Sequence, residues 1–190
     1  MAYVDTIQFI TMASAGNATD FGNLSAGRIR TAGFSSTTRG VISGGFNVDA
    51  DALNIIEYVT MSSAGNATDF GDLTVARYHS AGLSSATRGI TAGGQIQGGR
   101  SNVIDYVTIA STGNATDFGN LTADAANVAA CANTITGLIS GGNFDGNPSR
   151  ADVIQSITIA STGNSSDFGD LTVAKRTHGG ASPAAASVQG

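Results

Sequence analysis

Residues 102–109, Asn-Val-Ile-Asp-Tyr-Val-Thr-Ile, carry β-branched and aromatic side chains on both alternating faces. That pattern predicts a short strand covered on two sides. Counterparts occupy residues 6–12, 55–61 and 153–159. Each is followed by Ser-Ala-Gly-Asn or Ser-Thr-Gly-Asn, which predicts a tight hairpin, and then by a second strand around Asp-Phe-Gly. Downstream of Leu-Thr-Val-Ala-Arg, the small-residue stretch Ala81-Gly82-Leu83-Ser84-Ser85 predicts another strand, and Gly89-Ile90-Thr91-Ala92-Gly93-Gly94 the next. In repeat order these are strands a (81–85), b (89–94), c (102–109) and d (the Asp-Phe-Gly strand). The stretch 123–136 is Ala-rich and without Gly, which suits a helix, but its phase matches strand a, so strand is expected there too.

The pattern repeats four times. Gly16-Asn17-Ala18-Thr19-Asp20-Phe21-Gly22 recurs from Gly65 and Gly113, and from Gly163 with Ser165-Ser166 in place of Ala-Thr; the leading glycines are 49, 48 and 50 residues apart. Glycine doublets at Gly44-Gly45, Gly93-Gly94 and Gly141-Gly142 keep the same phase. A sheet of four such strands cannot bury both faces alone, so copies must stack on one another. The phase starts at c and d, runs through three complete units and leaves a and b over at the far end. Pairing of the N-terminal c and d strands with a and b strands from residues 177–190 closes a ring within one chain; closure between two chains, a homo-oligomer, is the alternative. The crowded Ala, Gly and Ser of the inner strands favour the smaller ring.

Composition agrees with an all-β reading of residues 1–190 as a single domain. There are 26 glycines but only two prolines in 190 residues, and charged residues make up 12% against a usual quarter. A charged coiled coil and an acidic disordered tail are thereby excluded. The net charge of −5 offers no basic stripe for phosphates, which argues against nucleic-acid binding. No run of about 18 apolar residues predicts membrane insertion, and no secretory leader is read at the N-terminus. The lone Cys131 cannot form an internal disulfide and is expected as a small buried side chain.

Strand b ending in Gly-Gly, a variable loop, strand c, an aromatic in strand d and then Leu-x-x-x-Arg together resemble the kelch repeat over nearly the whole chain. Phe21, Phe70, Phe118 and Phe168 stand where that repeat has Trp. The resemblance implies a β-propeller of about four four-stranded blades. The wording Tyr-Val-Thr-Ile-Ala-Ser-Thr-Gly-Asn-Ala-Thr-Asp-Phe-Gly also resembles repeat arrays in virion and tail-fibre-like proteins of marine cyanobacterial bacteriophages. It implies a structural or adhesive protein located on a phage particle.

Candidate chemistry is sparse. Asp20, Asp69, Asp117 and Asp167 recur in every unit, so hairpin hydrogen bonding explains them better than catalysis. His79 and His178 have no third donor at metal-ligand spacing and read as rim residues. The Asn-x-Thr/Ser sequences at Asn17, Asn66, Asn114 and Asn164 coincide with the hairpin turn and read as turn chemistry. No nucleophile elbow or triad stands out, so no enzyme activity and no cofactor are expected.

The b–c loop, by contrast, differs in every unit: Phe46-Asn47-Val48-Asp49-Ala50-Asp51, Gln95-Ile96-Gln97-Gly98-Gly99-Arg100, and Asn143-Phe144-Asp145-Gly146-Asn147-Pro148-Ser149-Arg150. Strand alternation puts it on the same face as the d–a loop. A constant scaffold with one diversified face suits recognition. The candidate binding residues are Phe46, Asn47, Asp49, Asp51, Gln95, Gln97, Arg100, Asn143, Phe144, Asp145, Asn147 and Arg150, facing another virion protein or a host surface glycan. A free-standing lectin-like carbohydrate-binding module is the alternative. Oxygen side chains alternate at Asn47, Asp49 and Asp51, and at Asn143, Asp145 and Asn147, as in calcium loops. The sixth-position Gly and twelfth-position Glu are missing, so a solvated turn is expected there.

Overall fold

The two-sided apolar segments form strands where their pattern predicts them. The computed structural model describes residues 3–49, 51–144 and 150–180. The first unit present is a hairpin of β1 (Thr6–Phe9) and β2 (Thr19–Asn23). An antiparallel meander follows, of β3 (Ala32–Ser35), β4 (Arg39–Ser43), β5 (Ile55–Thr60) and β6 (Thr68–Asp72). The next comprises β7 (Ala81–Ser84), β8 (Arg88–Ala92), β10 (Gly99–Thr108) and β11 (Thr116–Ala126), with the short β9 (Gln95–Ile96) folded back on β10. In the last, β12 (Ala129–Ala132), β13 (Thr136–Ser140), β15 (Ala151–Thr158) and β16 (Ser166–Lys175) pair in that order, while β14 (Asn143–Phe144) joins β11 of the preceding sheet. The protein is all-β, with no helix among the described residues. The Ala-rich stretch 123–136 is strand and turn, as its phase requires. The expected contribution of residues 177–190 to a shared sheet falls mostly outside the described residues, and so do Asp145 and Asn147.

Successive units pack small-residue strand against small-residue strand. Side chains at Gly33, Gly82 and Ala130 are absent or minimal because the inner backbones nearly touch: a Cβ on Gly82 would overlap the carbonyl of Gly33, and one on Gly180 that of Ala130. The interior between sheets is built from Ile56, Ile90, Ile104 and Ile139, all fully buried. At about 25 cal/mol per Å² of apolar surface, burying each such side chain contributes roughly 2 kcal/mol. Cys131 lies on β12 and is half-buried rather than buried.

The c–d connection departs from expectation. Seven residues, 109–115, separate β10 from β11, so this is an arm and not a tight hairpin. Each arm reaches back to the preceding unit. The amides of Gly65 and Ala67 donate to the carbonyls of Phe21 and Asn23; Gly113 and Ala115 donate to Phe70 and Asp72, and Gly163 and Ser165 to Phe118 and Asn120. The Asn of each arm accepts through Oδ1 from the same strand: Asn66 from the Asn23 amide at 3.0 Å, Asn114 from Asp72 at 3.0 Å and Asn164 from Asn120 at 2.9 Å. The recurrent glycine after Phe in strand d follows from this docking. At Gly22, Gly71 and Gly119 a Cβ would collide with the arm's backbone, and φ is +149°, +141° and +144°.

A second lock sits at a register shift shared by every c strand, after Ile7, Ile56, Ile104 and Ile154. Such a bulge re-aims the following side chain. Glu57, Asp105 and Gln155 thereby accept the backbone amides of Ser25, Thr74 and Thr122 in the unit before. Glu57 also pairs with Arg28, and Asp105 with Arg77 at 2.9 Å, all four side chains at most 2% exposed. Burial lowers both arginine pKa values, against the raising effect of their carboxylate partners. At the third junction Ala125 takes the Arg place by phase and the acceptor is the neutral Gln155, so charge is lost from both partners together.

Candidate binding face

The b–c loops and d–a corners meet on one face. Phe46 forms an antiparallel bridge with Ile29, Gln95 with Tyr78, and Asn143 pairs with Ala126. The residue after each corner partner adopts a left-handed conformation without being glycine: Arg30, His79, Asn127 and Thr177 have φ of 61°, 58°, 58° and 53°. Their backbones form a relay, His79 N–H to Arg30 carbonyl, Asn127 to His79 and Thr177 to Asn127. Of the four, His79 and Asn127 are residue types enriched in this conformation, whereas Arg30 and Thr177 are not.

Corner and loop bring two rings and a cation together at this face, with Phe46 half-buried, Tyr78 buried and Arg30 exposed. The rings of Phe46 and Tyr78 lie 4.6 Å apart, tilted by 54°, and Tyr78 is 5.5 Å from the His79 ring. The exposed Arg30 guanidinium stands 5.7 Å and 5.6 Å from the Phe46 and Tyr78 centroids, within cation–π range. The half-buried Phe46 ring, backed by Tyr78 and edged by the Arg30 cation and the half-buried Gln95, can take a planar or sugar-like face and hydrogen-bond its rim. Arg30 is an addition to the expected contact set, and the buried Tyr78 is an addition as the ring that backs Phe46. Their signal was the break in a repeated position, Ile29 becoming Tyr78 and Arg30 becoming His79.

Other candidates divide. Asn47 spends its side chain internally, Oδ1 accepting the Asp51 amide at 2.9 Å, while Asp49 and Asp51 are exposed. Gln97 is exposed at the tip of the β9–β10 turn, where Gly98 has φ of 86°, and Arg100 pairs with Gln95 across it. Phe144 belongs to the hydrophobic core and Asn143 is buried, so neither presents a surface: pairing of β14 with β11 carries them inward. Arg150 is exposed and joins Lys175, Arg176 and Thr177 around a shallow cavity of about 330 Å³. No cluster of three or more His, Cys, Asp or Glu suited to a metal occurs among the described residues. Asp117 accepts the Gly119 amide at 3.0 Å, the local role expected of that repeated carboxylate. His178 bonds Ser140 at 3.2 Å, far from His79 in sequence and with a different environment.

His79 gives this face a pH signature. Burial, and then the nearby Arg30 charge, lower its pKa below the ordinary 6.5. The unfolded chain takes up a proton near pH 6.5 that the folded chain refuses until lower pH. Stability is therefore full above that value and falls as pH drops through it toward the folded pKa. His79→Asn places at this corner the residue that Asn127 uses at the same φ, and the slope should shrink. Thermal unfolding of both proteins at neutral and mildly acid pH measures it; an unchanged slope in the variant refutes the assignment.

No protein-family model matches the chain, and no curated protein matches it.

Proposed function

We propose that the protein is a non-enzymatic, kelch-like β-propeller whose four-stranded units are blades, with one blade shared between the N-terminal c and d strands and a and b strands from the far end. Its function in this reading is structural or adhesive, as part of a bacteriophage particle. The diversified face, centred on Phe46, Arg30 and Gln95, contacts a second virion protein or a host surface glycan.

One observation carries the reading. The segment that repeats almost unchanged, the Gly-Asn-Ala arm, is accounted for by unit-to-unit hydrogen bonds, whereas the segments that vary gather on one face with aromatic and cationic side chains. Repetition serves assembly and variation is left for contact.

Two measurements test it. Antibody labelling in electron micrographs should place the protein on phage particles; its absence from particles removes the virion role. A glycan array should show binding that Phe46→Ala with Arg30→Ala reduces by at least tenfold, given about 1 kcal/mol from each stacking or cation–π contact. Glycan binding by a protein absent from particles would favour the lectin-like module, and binding indifferent to both substitutions would move the site elsewhere.

A further inference from the structure

The interface between units occurs three times within the chain, and its two halves occur a fourth time without each other. On β16, the carbonyls of Phe168 and Asp170 and the amide of Asp170 hold the positions that receive an arm in the three earlier units, and the Thr172 amide holds the position that meets the strand-c side chain after the register shift, yet none has such a partner among the described residues. Gly169 keeps the left-handed φ of +142° found under every docked arm, but nothing lies within 4 Å of a Cβ built there. The apolar surface tells the same story. Phe70 and Phe118, covered by arms, are each 2% exposed, whereas Phe168 is 60% exposed.

The missing half is at the other end of the protein. Gly16-Asn17-Ala18 has the arm sequence, and Ala18 is exposed where Ala67, Ala115 and Ser165 of the docked arms are half-buried. Met12 is 95% exposed, against 53% at its phase-mate Met61 and 1% at each of Ile109 and Ile159. Gln8 follows the same register shift as Glu57, Asp105 and Gln155, and is exposed. Opposite it by phase stands Lys175, exposed where Arg28 and Arg77 are buried.

We infer that the β16 edge around Phe168, Gly169 and Asp170 is a docking site for the Gly16-Asn17-Ala18 arm of a second copy of this chain, so that protomers join head to tail. The inference takes the shared blade of the proposed function further by assigning its halves to different protomers. A second copy is the occupant because arm and receptor are both formed in one chain and do not engage each other there. The chemistry also matches: Gln8 supplies an Oε1 acceptor for the Thr172 amide, as Gln155 does for Thr122 at 2.8 Å, and Lys175 meets an amide oxygen with no competing cation. The first junction has no Arg reaching from strand b among the described residues, yet its arm docks, so the arm contacts suffice without the Arg39 and Arg88 bonds to the Ile109 and Ile159 carbonyls. A head-to-tail contact of this kind is heterologous and builds closed rings or filaments.

Sedimentation of the full chain over a dilution series tests this, with amide hydrogen exchange at Gly16 and Ala18. The expected result is association that grows with concentration and protects both amides in step. Asn17→Ala should weaken it about fivefold, the worth of one hydrogen bond. Phe168→Ser should weaken it further without lowering the melting temperature, since that ring is mostly solvated in the monomer. Gln8→Glu, which gives Lys175 the carboxylate that Arg28 and Arg77 already have, should tighten it about three- to tenfold. Mixing the Asn17→Ala and Phe168→Ser proteins should restore one junction and give dimers, because each supplies the half the other lacks. A monomer at every concentration overturns the inference. If its Gly16 and Ala18 amides are nevertheless protected, the ring closes within one chain and the propeller reading stands; if they are unprotected, the shared blade fails as well.

Discussion

Asp105→Ala will destabilise the protein by about 3–5 kcal/mol, because it leaves the Arg77 guanidinium in the interior without its carboxylate. Arg77 is fully buried, and Asp105 is the acceptor for its Nη2, for the Thr74 amide and for the Thr74 hydroxyl at 2.6 Å. Its Nε and Nη1 have no hydrogen-bond partner among the described residues, so little remains to hold the charge once the acid is gone. The third junction shows how the site works without charge. Arg77→Met with Asp105→Gln copies its neutral logic, keeping an oxygen for Thr74 and filling the volume with an apolar chain. That double variant should stay within about 2 kcal/mol of the parent. Urea unfolding of the three proteins decides the matter; a double variant as unstable as Asp105→Ala would show that the ion pair itself, and not the cost of an unpaired charge, holds this junction.

Gly119→Val is expected to release the last unit from its neighbour, at about 3–5 kcal/mol. Part is backbone strain at φ +144°, and part is the collision of the new side chain with the Gly163 carbonyl. Gly169→Val at concentrations where the chain is monomeric is the control, since it has the same φ with open space around it. The difference between the two isolates the docking contribution. Hydrogen exchange should show the Gly163 and Ser165 amides opening in the Gly119 variant alone; protection that persists there would mean that the arm is held by something other than its two amide bonds and the Asn164 side chain.

The strands and their phase were legible because β-branched pairs on both faces leave few other folds for residues such as Val103, Ile104 and Val107. The route of the chain between strands was less so. Ser-Thr-Gly-Asn is good turn chemistry in isolation, and nothing local distinguishes an Asn that caps its own turn from Asn114, whose acceptor oxygen is used 42 residues away. The Arg77 and Asp105 pair did leave a trace, in the joint change to Ala125 and Gln155, which becomes readable once the register shift is known to aim strand c at the previous unit. Phe144 illustrates the opposite error. An aromatic in a variable loop reads as a contact residue, but two residues of pairing with β11 turn it into the core. The corner at Arg30, His79, Asn127 and Thr177 carries no glycine, so residue type alone gave little sign of its backbone geometry.

Because each arm grips only the unit before it, the molecule's cohesion is a sum of nearest-neighbour terms. Duplicating or deleting one period of about 49 residues changes how many such terms there are, and leaves each joint intact where an Arg still meets an acid or Ala125 still meets Gln155. A chain of this kind can therefore lengthen or shorten by whole periods, and the products that keep charge with charge inherit intact joints.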